Sequence, residues 1–115
     1  MTAPLASMTY AEWQVEALRR FGSRGAIRFV CPSCGHVASV DEWLKAGAEP
    51  GEIGFSCIGR RLGADDANTF RNKGGPCQYA GGGLFRINPQ PIVLEGGKVE
   101  HFFALAPVEE VEVPS

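Results

Sequence analysis

From Thr9 onward, apolar side chains fall at Tyr10, Trp13, Ala17, Leu18 and Phe21, a spacing that puts them on one face of a helix. Glu16, Arg19 and Arg20 fill the opposite face. Thr9 and Glu12 form a T-x-x-E capping box, and Gly22 can take the left-handed conformation that stops a helix. The pattern therefore predicts a helix over 9–21, with the Trp13/Phe21 stripe as core packing.

The period then shortens. "AIRFV" (26–30) and "HVASV" (36–40) read as strands on either side of "CPSCG". Ser39 and Glu42 make a second capping box, and "DEWLKAG" reads as a short helix ended by Gly47. "AEPGE" is a turn, and "EIGFSC" (52–57) is expected to be a strand that delivers Cys57. Residues 59–76, "GRRLGADDANTFRNKGGP", carry no strong period and read as a long loop. "PIVLEGGKVEHFFALAP" is two extended runs around Gly-Gly, which signals a hairpin with a two-residue turn. Alternation puts Val99, His101, Phe103 and Leu105 on one face of its second strand and Phe102 on the other.

These elements describe an α+β fold, a small zinc-ribbon-like domain with an N-terminal helix, a short second helix, antiparallel strands and a C-terminal β-hairpin. Residues 1–8 are expected to be a flexible leader, 9–106 a single domain and 107–115 an acidic flexible tail. The chain of 115 residues carries 15 Gly and 8 Pro, so turns are many and the core is modest. Domains of this kind often need a staple of disulfides or metal.

The staple is written in four cysteines: Cys31 and Cys34 as C-x2-C, then 22 residues to Cys57 and 19 more to Cys77. "CPSCGH" has the form of a zinc knuckle, with Gly35 free to take the positive φ that closes the turn. Four thiolates around one tetrahedral Zn2+ make a structural site with no open position. Cys57 and Cys77 arrive singly, which weakens the motif relative to two paired knuckles. His36 is a minor alternative ligand. A C-P-x-C redox dithiol, two disulfides and four inert thiols are the competing readings. The pair lies between strand-like segments rather than at a helix N-terminus, and a reducing cytosol disfavours structural disulfides. Four thiolates and a dication form a negative centre. Backbone N–H groups, and Arg60 or Lys73, are the candidates to offset it.

The formal charge of −2 argues against a protein that coats nucleic acid by bulk charge. "MTAPLASMTYAEW" lacks the basic and apolar regions of a secretory signal, and no apolar run approaches a membrane span. A cytoplasmic protein with no membrane partner is expected. No H-E-x-x-H, P-loop, G-x-S-x-G or dinucleotide fingerprint is present. The chain is therefore read as non-enzymatic, with C-x2-C redox chemistry the enzymatic alternative.

The motifs "YAEW…RRFG", "FVCPSCGH", "GFSCIGR" and "GPCQYAGGGLFRINP", in that order, resemble a family of small, functionally uncharacterised proteins common in bacteriophage and prophage genomes. The resemblance runs from Tyr10 to about Pro89, and "CQYAGGGLFRINP" is its most specific part. It implies a phage or prophage origin and a setting inside a bacterial host cell, where small accessory proteins bind and redirect host machinery. It assigns no catalytic residue.

Two functions of different class follow. One is a protein-interaction module that inhibits or modulates a host factor, such as defence or transcription machinery. The other is a nucleic-acid-binding zinc ribbon, with Arg60, Arg61, Arg71, Lys73 and Arg86 near the metal and Phe70, Tyr79 and Phe85 available for stacking. Arg60, Arg61, Arg71, Lys73 and Phe102 are the candidate partner-binding residues. The residues leave the oligomeric state open.

Overall fold

The computed structural model describes residues 5–71, 75–83 and 86–107. Lys73, Phe85 and the stretch 108–115 lie outside the described residues.

Strand β1 (Met8–Thr9) leads directly into helix α1 (Tyr10–Phe21). Both capping-box bonds form: Thr9 N–H donates to Glu12 Oε1 at 2.8 Å, and Glu12 N–H donates to Thr9 Oγ1 at 3.1 Å. Gly22 ends the helix at φ +86°. The core-facing stripe is narrower than its apolar pattern. Ala17 is buried and Trp13 and Phe21 pack against the core, whereas Tyr10 and Leu18 are exposed. Tyr10 and Leu18 instead border an open groove between α1 and the segments carrying Ile27 and Val40.

Strands β2 (Arg28–Val30) and β3 (Val37–Ser39) flank the knuckle and pair antiparallel, with Phe29 opposite Ala38. Helix α2 (Val40–Lys45) starts at the Ser39/Glu42 capping box as expected. The expected strand at 52–57 does not form. Pro50–Glu52 is a 3-10 turn, and Gly54 at φ +68° breaks any extended run. That turn lets Gly54 sit against the Phe29 ring, where an added Cβ would lie 2.8 Å from Cε1. The expected loop at 59–76 begins with a single helical turn, α3 (Gly59–Leu62), closed by Gly63 at φ +70°. A 3-10 turn follows at Asp66–Asn68, capped by Asp65.

Strands β4 (Gln90–Val93) and β5 (Val99–Phe102) form the hairpin, with Val93 opposite Val99. Its turn is longer than the expected two residues. Glu95–Gly97 make a 3-10 turn with Gly96 and Gly97 both at φ +85°. The run after it is not one strand. Phe103 interrupts it, donating its N–H to Gly54 O at 2.7 Å, and β6 (Ala104–Leu105) joins a different sheet. One sheet has the order β1-β4-β5, with β1 parallel to β4, and the other has β3-β2-β6. Residues 5–8, placed by sequence in the leader, run beside β4: Leu5 N–H donates to Pro89 O at 2.9 Å and Gln90 Nε2 donates to Ala6 O at 3.0 Å.

The chain is thus an α+β, zinc-ribbon-like domain. Its core joins an aromatic cluster to the cysteines. Phe29 meets Trp43 edge-on at 5.9 Å, and Phe103 lies 6.2 Å from Trp43 and 6.1 Å from Tyr79. Trp43 Nε1–H donates to Ser56 O at 3.2 Å, which satisfies the polar atom of this buried ring. Among the described residues, no helix is long and apolar enough to cross a membrane.

Candidate metal centre

Three segments bring the four sulfurs together. The knuckle between β2 and β3 carries Cys31 and Cys34. Cys31 N–H donates to His36 O at 3.0 Å, Gly35 N–H donates to Cys31 O at 2.8 Å, and Gly35 takes φ +82°. The other half, which lacks a second C-x2-C in sequence, is assembled from two distant strips lying side by side. Cys57 N–H donates to Tyr79 O at 3.0 Å, and Cys77 N–H donates to Cys57 Sγ at 3.4 Å.

All four Sγ atoms lie within 4.8 Å of one another. Cys31 and Cys77 are 4.0 Å apart and Cys34 and Cys57 3.8 Å apart. Sulfurs ~2.3 Å from a tetrahedral Zn2+ are separated by about 3.8 Å, so the cluster has the size the ion requires. All four residues are buried and all four are free thiols. The cysteines are positioned to hold one metal ion, and an all-thiolate tetrahedral set suits Zn2+. With every position filled by protein, the ion would supply cross-linking and no open site for chemistry. His36 offers its backbone N–H to Cys34 Sγ at 3.4 Å, while the ligand cluster consists of cysteines alone.

A local pattern repeats at every cysteine. The N–H two residues on is directed at the sulfur: Ser33 to Cys31, His36 to Cys34, Gly59 to Cys57 and Tyr79 to Cys77. These amides are the groups that offset thiolate charge. Of the expected cations, Arg60 is engaged elsewhere. Arg60 donates to Gln78 O at 3.2 Å, and Arg61 pairs with Glu52 and holds that carboxyl below its usual range. Arg71 is exposed, and Lys73 is outside the described residues. Phe102 is half-buried, its ring 6.0 Å from Phe55 in an edge-to-face contact.

Without a cation the four thiols interfere with one another. Burial, reinforced by the charges of Cys57 and Cys77, pushes Cys34 up to about 12. Cys31 is also pushed up, first by its hydrogen bond to Cys57 and then by burial. Cys57 accepts that bond and is pulled down to about 5. A redox dithiol needs an exposed, readily ionised first cysteine, whereas Cys31 is buried between two strands.

Two supporting residues escaped the sequence reading. Ser33 is buried, takes a hydrogen bond from Phe70 N–H at 2.6 Å, and lies 3.5 Å from Cys77 Sγ. Gly59 touches the Cys77 backbone so closely that an added Cβ would lie 2.2 Å from its carbonyl oxygen. The glycine two places after Cys57 was the available signal.

The model of one protein family, described as VVA0879-like, matches residues 9–106. The chain belongs to the VVA0879-like family. The match begins at the Thr9 cap and ends with Ala106 just past β6, so it takes in all four cysteines and both sheets apart from Met8. No curated protein and no solved structure matches this VVA0879-like chain.

Proposed function

We propose that the protein is a zinc-stapled interaction module whose partner is another protein. In a bacterial cell carrying a phage or prophage genome, that partner would be a host factor such as defence or transcription machinery. One observation carries this reading. Leu62 and Phe70, exposed at 56% and 53%, lie between the ligands Cys57 and Cys77 in the chain, and Phe70 holds φ +66°. A bulky residue in the left-handed region is strained, by roughly 1–2 kcal/mol. Here the backbone is held there by the bond from Phe70 N–H to Ser33 Oγ, with the ring edge-on to Tyr79. A strained backbone that holds a half-exposed aromatic ring at the surface points to use of that ring. Exposed apolar and aromatic groups are the usual anchors of protein contacts.

The test is affinity capture from a bacterial lysate with zinc-loaded protein and with the Leu62→Asp/Phe70→Asp double variant. The expected result is a protein retained by the wild type through nuclease treatment and high salt, and lost with the variant. Recovery of nucleic acid instead, released steeply by salt, would replace this reading with the zinc-ribbon alternative.

A further inference from the structure

Among the described residues, the hairpin leaves one strand edge without a neighbouring strand, beside a cleft. Among the described residues, β5 is the outer strand of its sheet. Leu94 N–H donates to Lys98 O at 2.7 Å, which sets the phase of the ladder. Val99 and His101 therefore direct their backbone groups away from β4. The His101 carbonyl accepts from Asn88 Nδ2 at 3.1 Å. Among the described residues, no strand pairs with Val99 N–H, Val99 C=O or His101 N–H along that edge.

A cleft of about 600 Å³ runs beside these groups, lined by Phe55, Arg86, Asn88, Lys98, Val99 and His101, with Glu100 in its wall. Asn88 is 7% exposed, and its amide orientation is fixed because Nδ2 donates to two carbonyls, Phe55 O at 3.2 Å as well as His101 O. Its Oδ1 is then a buried acceptor with no hydrogen-bond partner. Arg86 and Lys98 bring two positive charges to the cleft. Glu100 pairs with Lys98 at 3.2 Å, but the lysine is 73% exposed and the pair is weak.

We propose that this cleft takes an extended acidic peptide segment of a partner protein as an added strand on β5. The proposal rests on the protein-interaction reading above and specifies a second contact surface for it. The incoming backbone would pair with Val99 N–H and C=O and with His101 N–H, the mode by which exposed sheet edges capture peptides. Its carboxylates would face Arg86 and Lys98.

The test is a titration of the isotope-labelled, zinc-loaded full chain with acetyl-Glu-Val-Glu-Val-Glu-amide, followed by amide resonances. Acetyl-Lys-Val-Lys-Val-Lys-amide is the control. The expected shifts fall on Lys98, Val99, His101, Arg86 and the Asn88 side-chain amide, with the acidic peptide bound about ten-fold tighter than the basic one. Val99→Pro removes the outward N–H without touching a bond to β4, and Lys98 before it already has φ −68° and ψ 134°, which a following proline accepts. This variant should lose binding. Should it fail to fold, Arg86→Glu with Lys98→Glu leaves the backbone intact and should reverse the peptide preference. Equal binding of both peptides, shifts elsewhere, or no shifts would overturn the proposal. So would slow exchange of the Val99 and His101 amides before peptide is added, because the edge would then already be paired within this chain or with a second copy. A partner that is captured through Leu62 and Phe70 yet leaves β5 unshifted would remove the strand addition alone.

Discussion

Each sulfur of the centre is served by the amide two residues beyond it, so the four short strips Cys31–Ser33, Cys34–His36, Cys57–Gly59 and Cys77–Tyr79 are built alike. Only the first two were legible as a motif, because a spacing rule registers cysteines that are close in sequence. Cys57 and Cys77 could be read as ligands by count. Their side-by-side packing depends on Gly59, whose missing Cβ is the space occupied by the Cys77 carbonyl. Gly59→Ala is therefore expected to push Cys77 out of position and weaken zinc binding by an order of magnitude or more, measured by competition with a chromophoric chelator. The thiols also predict a proton count. Cys31 and Cys34 are raised in the metal-free fold, so both are neutral at pH 7 and both must ionise to bind zinc. Loading one ion should release at least two protons, seen by adding zinc to weakly buffered protein. The signs of the pH dependence are opposed. Raised thiol pKa values favour the metal-free fold below the ordinary thiol range, and that contribution fades as pH climbs towards about 12. Zinc binding instead weakens as pH falls, because protons compete for the sulfurs.

Among the elements, both capping boxes, the helix stop at Gly22 and the strands flanking the knuckle were legible, since each rests on contacts a few residues apart. The change of sheet at Phe103 was not. Alternation of apolar residues continues from β5 into β6, and nothing in a period of two says which neighbour a strand will have. The deciding contacts are remote: Phe103 binds Gly54 through its backbone, and Leu105 pairs opposite Phe29. The strand expected at 52–57 failed for the same reason, because Gly54 is turned to fit beneath the Phe29 ring. Phe103 is wholly buried among Trp43, Tyr79 and the edge of the metal lobe, and it joins the two sheets. Phe103→Ala should cost about 3–5 kcal/mol, measured by chemical denaturation with zinc held in excess.

At the scale of the whole molecule, the cysteines sit inside the core rather than beside it: they belong to the same buried cluster as Phe29, Trp43 and Phe103. Structural zinc contributes ~10–16 kcal/mol of apparent binding free energy, while a domain's net stability is only ~5–15 kcal/mol. Removing the ion should therefore unfold more than the knuckle. Cys57→Ser is expected to give insoluble or molten protein that has lost its near-UV circular dichroism and its stoichiometric zinc. A soluble, well-folded variant would count against the four-cysteine centre.

The ligands also have an order in time. Synthesis exposes Cys31 and Cys34 first, as a two-sulfur clip, then Cys57, and Cys77 only after a further 19 residues. A ribosome-bound chain thus spends much of its elongation as an incomplete chelator, open to exchange with whatever thiophilic ions or oxidants surround it. The last sulfur precedes the sheet-closing strand β6, so the four-sulfur set is complete before the strand that joins the metal lobe to the hairpin has been made.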